Sequence, residues 1–233
     1  MAKRGKLIVI DGTDGSGKST QTKLLIKHLK KGGKKVKIID FPEYYSNFFG
    51  KFIGHCLSEQ YYNFVKIHPK IASVLFAADR FESKEKLKKW LKEGYIVIAN
   101  RYATANQIHQ GGKISNTEKR EAFIKWLAEM EYEVFKIPKP DAVFYLSVPV
   151  PIVMRLIKER NKQKARAYLG NKKDVAEKDY KHMENSRKSA LWLAKTQKGW
   201  TKVECIKNGV LDTRENIHDK IYEKVKKIIK GES

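Results

Sequence analysis

The octapeptide Gly12-Thr13-Asp14-Gly15-Ser16-Gly17-Lys18-Ser19 has the spacing G-x-x-x-x-G-K-[ST]. It stands between an apolar β-rich run at residues 6–11 and a segment of helical periodicity that begins at Lys18. No other feature constrains the fold as strongly. Glycines at these positions let the backbone curl until several N–H groups face one anion, and a helix starting inside the loop adds its positive end. A strand running into such a loop and a helix leaving it predict an α/β architecture.

Four further apolar runs, at residues 36–41, 95–99, 142–146 and 203–206, alternate with helical segments. The expected fold class is therefore α/β: a P-loop NTPase three-layer fold with a mainly parallel five-stranded sheet, helices on both faces and a basic lid insert. Residues 18–31 place Leu24, Leu25, His28 and Leu29 on one side of a helix that stops at Gly32-Gly33. Ser115-Asn116-Thr117-Glu118 reads as a capping box ahead of Phe123, Ile124, Trp126, Leu127 and Met130. Asp212-Thr213-Arg214-Glu215 opens a last helix with Ile217, Ile221, Val225 and Ile228 spaced for packing.

With 233 residues, 41% of them hydrophobic, the chain can bury one core, and a single domain spanning residues 1–233 is expected. The one compositional shift is residues 155–188, net +7, whose middle lacks an apolar stripe and contains Gly170-Asn171. We expect a mobile basic lid at about residues 160–174, flanked by helices. The net charge of +23 invites a nucleic-acid partner, but the lysines are spread along helices and no aromatic-interleaved strand offers base stacking, so none is expected. Cys56 and Cys205 have no metal-ligand spacing and read as buried fillers. No membrane span or leader is apparent, and a cytoplasmic protein without a membrane partner is expected.

The glycine loop implies a nucleoside triphosphate, with ATP as donor. Gly12, Asp14, Gly15, Ser16, Gly17, Lys18, Ser19 and Thr20 are the candidate binding set. Lys18 reaches the β- and γ-phosphates, and Ser19 offers its hydroxyl to Mg²⁺. A helicase or motor needs more chain than this, so a small kinase is favoured.

A second substrate needs its own wall. The third apolar run releases Asn100, Arg101, Tyr102, Asn106, Gln107, His109 and Gln110 in quick succession. In an open α/β sheet ligands sit beyond the carboxyl ends of the strands, so this abrupt change marks a binding surface. Together with Phe41-Pro42, Phe76-Ala77-Ala78-Asp79-Arg80, "PKPDAVFYLSVP" and "KDVAEKD", in this order over residues 6–221, these landmarks make the chain resemble the thymidylate kinase family.

That resemblance implies Mg²⁺-dependent transfer of the ATP γ-phosphoryl group to dTMP, a closing lid and a homodimer. It places Asp14 at the acceptor sugar, Phe76 against thymine, Arg80 at the base carbonyl edge and Asn106 at the N3 edge. It places Arg101 and Tyr44 at the acceptor phosphate and His109 with Gln110 on the deoxyribose side, and it counts Phe41 and Pro42 among the acceptor-binding residues. Asp79 reads as a structural partner of nearby arginines. One class of the family carries an arginine inside the phosphate loop. Here that position is Gly15, so the extra cation is expected from Arg160 and Arg166, with Arg155, Lys162 and Lys164 as further candidates.

Two departures stand out. Asn100 occupies the position of the usual Asp and so removes a full negative charge beside the metal, and Ala105 replaces a common Ser. A same-fold kinase with another or broader acceptor, and a weakly active nucleic-acid-associated NTPase or regulator, are the alternatives.

Overall fold

The computed structural model describes residues 4–58, 64–163 and 179–232. The five expected strands form one parallel sheet in the order β2-β3-β1-β4-β5. They are β1 Lys6–Gly12, β2 Val36–Asp40, β3 Ile96–Asn100, β4 Ala142–Ser147 and β5 Trp200–Glu204. The helices are α1 Lys18–Lys31, α2 Phe48–Leu57, α3 Pro69–Glu82, α4 Lys84–Lys92 and α5 Ala103–His109. They continue with α6 Thr117–Ala128, α7 Val150–Gln163, α8 Tyr180–Thr196 and α9 Arg214–Lys230.

β1 is central, with Ile8 opposite Ile98 of β3 on one side and Ala142 of β4 on the other. Its side chains alternate between two cores. Ile8 and Ile10 pack with Leu25 and Leu29 of α1 and Ile217, Ile221 and Val225 of α9. Leu7 and Val9 pack with Leu87 and Leu91 of α4 and with Tyr102. A strand covered on both faces reads as a continuous apolar run, which is how this one was recognisable. Each such side chain contributes roughly 1.5–3 kcal/mol by leaving water.

Three local expectations are corrected. The last strand was placed at residues 203–206, but β5 begins at Trp200, and Ile206 belongs to a separate two-residue hairpin with Val210 and Leu211. β5 lies at the sheet edge, where Thr201, Lys202 and Glu204 are tolerated and hide the apolar signal. The cap of α6 is Asn116, whose side chain accepts from the Lys119 N–H at 2.8 Å, so the box starts one residue later than Ser115 suggested. α7 extends through Gln163, so the first four residues of the supposed loop are helical; the rest of that segment lies outside the described residues. Among the described residues no helix is long and apolar enough to cross a membrane.

After α6 the chain runs straight into a π-helical segment, Glu129–Val134. Such insertions re-aim side chains, and here Glu131 is buried beneath the cleft.

Candidate active site

The carboxyl ends of β1, β2 and β3 open on one cleft of about 990 Å³. On its donor side Gly15 and Gly17 take positive φ values of 79° and 91°, which L side chains adopt only at a cost. α1 starts at Gly17 without a side-chain cap, so its first N–H groups face the cleft as the loop requires. Lys18 folds over the loop, its Nζ donating to the carbonyl oxygens of Gly12 at 2.9 Å and Thr13 at 2.8 Å. Thr13 Oγ1 and Ser16 Oγ are buried without partners, as fits a cradle built for phosphate oxygens.

Gly15 has a second constraint. A Cβ there would meet Ile157 Cγ1 at 2.7 Å and Val153 Cγ1 at 3.1 Å. α7 therefore leaves little room for any side chain at this position of the loop. Arg160, in the last turn of that helix, lines the cleft. Arg166 and Lys164 lie outside the described residues.

On the opposite wall Arg101 adopts φ 65°, a strained conformation for an arginine. Its Nη2 donates to Asp14 Oδ1, and its Nη1 donates to His109 Nε2 at 2.7 Å. Burial and the adjacent guanidinium push the His109 pKa well below 6.5. The ring is therefore neutral: Nε2 accepts from Arg101 and Nδ1–H donates to Ser186 Oγ at 3.3 Å. The opposed charge of Asp14 raises the Arg101 pKa further despite burial.

Deeper in the cleft Phe76 packs against the cluster that holds Tyr44, and the peptide Phe41–Pro42 is cis. Arg80 is 2% exposed and Glu131 1%. The arginine Nε donates to Glu131 Oε2 at 3.0 Å and its Nη2 to Oε1. Asn106 spends its amide N–H groups on Ser73 O at 3.1 Å and Glu131 Oε1 at 3.2 Å, and so presents its carbonyl oxygen. An acceptor there suits a ligand N–H.

Every residue of the two predicted binding sets lines this cleft except Gly12, the last residue of β1. Lys113, whose burial lowers its pKa to about 8, and His182 also line it and were not anticipated. Neither belongs to a motif. Asp11 was missed as well: wholly buried, it accepts from Gly12 N–H at 2.8 Å and from Thr104 Oγ1 at 2.6 Å, and so ties the phosphate loop to α5.

The expected pairing of Asp79 with arginines is corrected. Its carboxylate accepts from the Glu43 N–H at 3.1 Å and the Asn47 amide at 3.0 Å, holding the turn after Pro42. Neighbouring helix residues point about 100° apart, so Arg80 faces Glu131 instead. Burial pushes the Asp79 pKa up to about 6, opposed by those hydrogen bonds. A raised folded-state pKa favours the protonated form. The contribution is present in full below the unfolded pKa of roughly 4 and is lost as pH rises through about 6. Carbon-detected NMR titration should give a midpoint near 6 for this carboxyl; an ordinary carboxylate midpoint would contradict the burial.

The donor set also suits a hydrated Mg²⁺ ion. Asn100 Oδ1 is buried without a partner and Asn100 Nδ2 lies 3.4 Å from Ser19 Oγ. Among the described residues no group of three or more His, Cys, Asp or Glu could hold a metal alone. Mg²⁺ bound through phosphates and waters needs none.

A phosphate cradle and a half-buried arginine facing one cleft from adjacent strand ends define a P-loop phosphotransferase of the nucleotide-kinase class. A family profile described as thymidylate kinase matches residues 10–217, and the chain belongs to the thymidylate kinase family. The thymidylate kinase of Plasmodium falciparum is 30% identical over 186 residues, 80% of this chain and 74% of that protein. That of Thermosipho melanesiensis is 27% identical over 95% of this chain and 96% of its own. The solved thymidylate kinase of Candida albicans has the same fold, with a TM-score of 0.72 over 97% of this chain and 94% of that one at 22% identity.

The absence of an N-K-x-D tetrad, expected of a chain that is not a GTPase, is corrected by the sequence itself. Asn171-Lys172-Lys173-Asp174 has the N-K-x-D spacing with which GTPases read guanine; it lies outside the described residues.

Proposed function

We propose that this chain transfers the γ-phosphoryl group of ATP to dTMP, giving ADP and dTDP. The observation that carries the reading is the opposition, across one cleft, of the Lys18 cradle and the Arg101–Asp14 pair, with Phe76 and Asn106 deeper inside. Lys18 and the loop amides hold the donor. Arg101 turns from Asp14 to the acceptor phosphate and fixes it in line, while Asp14 takes the sugar hydroxyl. Phe76 stacks on the base, Asn106 accepts from its N3–H, and Arg80 with Tyr44 completes the acceptor wall.

The transition state is loose, so positioning and cations carry the rate. The acceptor oxygen is already ionised, and no general base is needed. Arg160 supplies the cation that Gly15 cannot, with Arg166 as the second arm of a lid at about residues 160–174. Ser19 would hold a bound Mg²⁺ through its hydroxyl, and the ion would offset the charge of the donor phosphates. A single kinase domain, a cytoplasmic setting and a homodimer belong to the same reading. They are supported by two buried free thiols, Cys56 and Cys205, and by exposed Phe48, Ile71 and Val74 on α2 and α3.

A coupled ADP-release assay with dTMP, dUMP, dGMP, dCMP, thymidine and single-stranded DNA tests this. Turnover with dTMP above the others is the expected result. Stimulation by DNA alone, or none by any monophosphate, would overturn it.

A further inference from the structure

Asn100 leaves the end of β3 without its carboxylate, but the end of β2 has one. Asp40 and Asn100 are register partners across the β2–β3 ladder, at the last position of both strands. Asp40 lines the same cleft as Lys18 and Ser19. Partial desolvation at the cleft wall raises the Asp40 pKa, and the Asn100 side chain as hydrogen-bond donor, with the positive charges of Arg101, Lys18 and Lys23, opposes that rise. Asn100 Nδ2 also lies 3.4 Å from Ser19 Oγ, so one amide stands between the Asp40 carboxylate and the hydroxyl assigned to the metal.

The other aspartates nearby are spent. Asp14 is paired with Arg101, and Asp11 is buried between Gly12 N–H and Thr104. Asp212 is held by Lys220 and Asn216. No described residue forms an ion pair with Asp40, and it is exposed to the cleft. Mg²⁺ keeps several waters and takes one or two carboxylates besides substrate phosphates. A carboxylate beside the hydroxyl ligand therefore has a role waiting for it.

We propose that Asp40 orients the water shell of the divalent ion held at Ser19, with Asn100 bridging the two, so that the charge missing from β3 has moved one strand across the sheet. The inference rests on the assignment of Ser19 as metal ligand. It makes Asn100 a relay rather than a defect, and Asp40 a positioning residue.

The test is Mn²⁺ binding to the protein–ADP complex, followed through the free-Mn²⁺ electron paramagnetic resonance signal. Asp40→Asn is expected to weaken Mn²⁺ binding by about 10- to 100-fold, the usual cost of removing an outer-shell partner. ADP affinity in EDTA should stay within about twofold, because outer-shell loss acts on the metal. Asn100→Asp added to Asp40→Asn is expected to restore most of the loss. Asn100→Asp alone should gain little, because two carboxylates would then face each other across the ladder. Asp40→Asn with unchanged Mn²⁺ affinity, or an equal loss of ADP affinity in EDTA, would overturn the proposal. If the wild-type complex binds no more Mn²⁺ than free ADP does, the assignment of Ser19 fails and this inference with it.

Discussion

Replacing Arg101 with alanine is expected to lower kcat/KM for dTMP by roughly 10³- to 10⁵-fold, the range over which a transition-state arginine acts in phosphoryl transfer. The backbone shows how much is invested in this side chain. φ 65° costs on the order of 1–3 kcal/mol, and the residue is held there by its N–H bond to Ile10 O at 3.0 Å and by Asp14 and His109. Loss of the guanidinium removes the acceptor cation and also uncovers the Asp14 carboxylate, which then repels the incoming phosphate. Arg101→Lys keeps a charge but not the planar fork that spans Asp14 and His109, so an intermediate loss of about 10²-fold is expected. Steady-state kinetics check this. KM for dTMP should rise and kcat fall, while KM for ATP moves by less than about threefold, because the donor cradle does not contain Arg101. An Arg101→Ala enzyme with a normal KM for dTMP would show that the phosphate is held elsewhere.

How far such a site can be read from sequence depends on how locally its geometry is encoded. The phosphate loop is eight consecutive residues, and β1, β3 and β4 are buried on both faces, so their patterns are short-range and legible. The polar burst after β3 was legible for a topological reason: it begins where the strand leaves the sheet, and the sheet was predictable. What could not be read depends on strand order or on distant packing. Asp40 lies next to Asn100 only because β2 pairs with β3, a pairing between residues 60 positions apart. α7 crowds Gly15 through Ile157 and Val153, far along the chain. β5 was blurred because an edge strand tolerates polar residues. Asp79 was mispartnered because sequence adjacency to Arg80 says nothing about direction on a helix.

Glu131 is the plainest case, and it carries the largest expected effect on stability. It sits in a π-helical segment that no local pattern announces, 51 positions from the arginine it neutralises. Glu131→Ala leaves a guanidinium buried and uncompensated, a cost of about 3–5 kcal/mol. For a chain of 233 residues, at roughly 2–4 °C per kcal/mol, the thermal midpoint should fall by about 6–20 °C. The same change frees the Asn106 amide and lets Arg80 swing, so KM for dTMP should also rise, by about 10-fold if one oriented hydrogen bond to the base is lost. A second variant separates the two effects. The double replacement Arg80→Met with Glu131→Leu removes both charges and keeps the volume, and buried pairs exchanged this way commonly lose no stability. Calorimetry should then find a midpoint near that of the wild type while KM for dTMP stays raised. If the double variant instead restores dTMP affinity as well, Arg80 and Asn106 serve only to hold the floor of the cleft together, and the base is read by other groups.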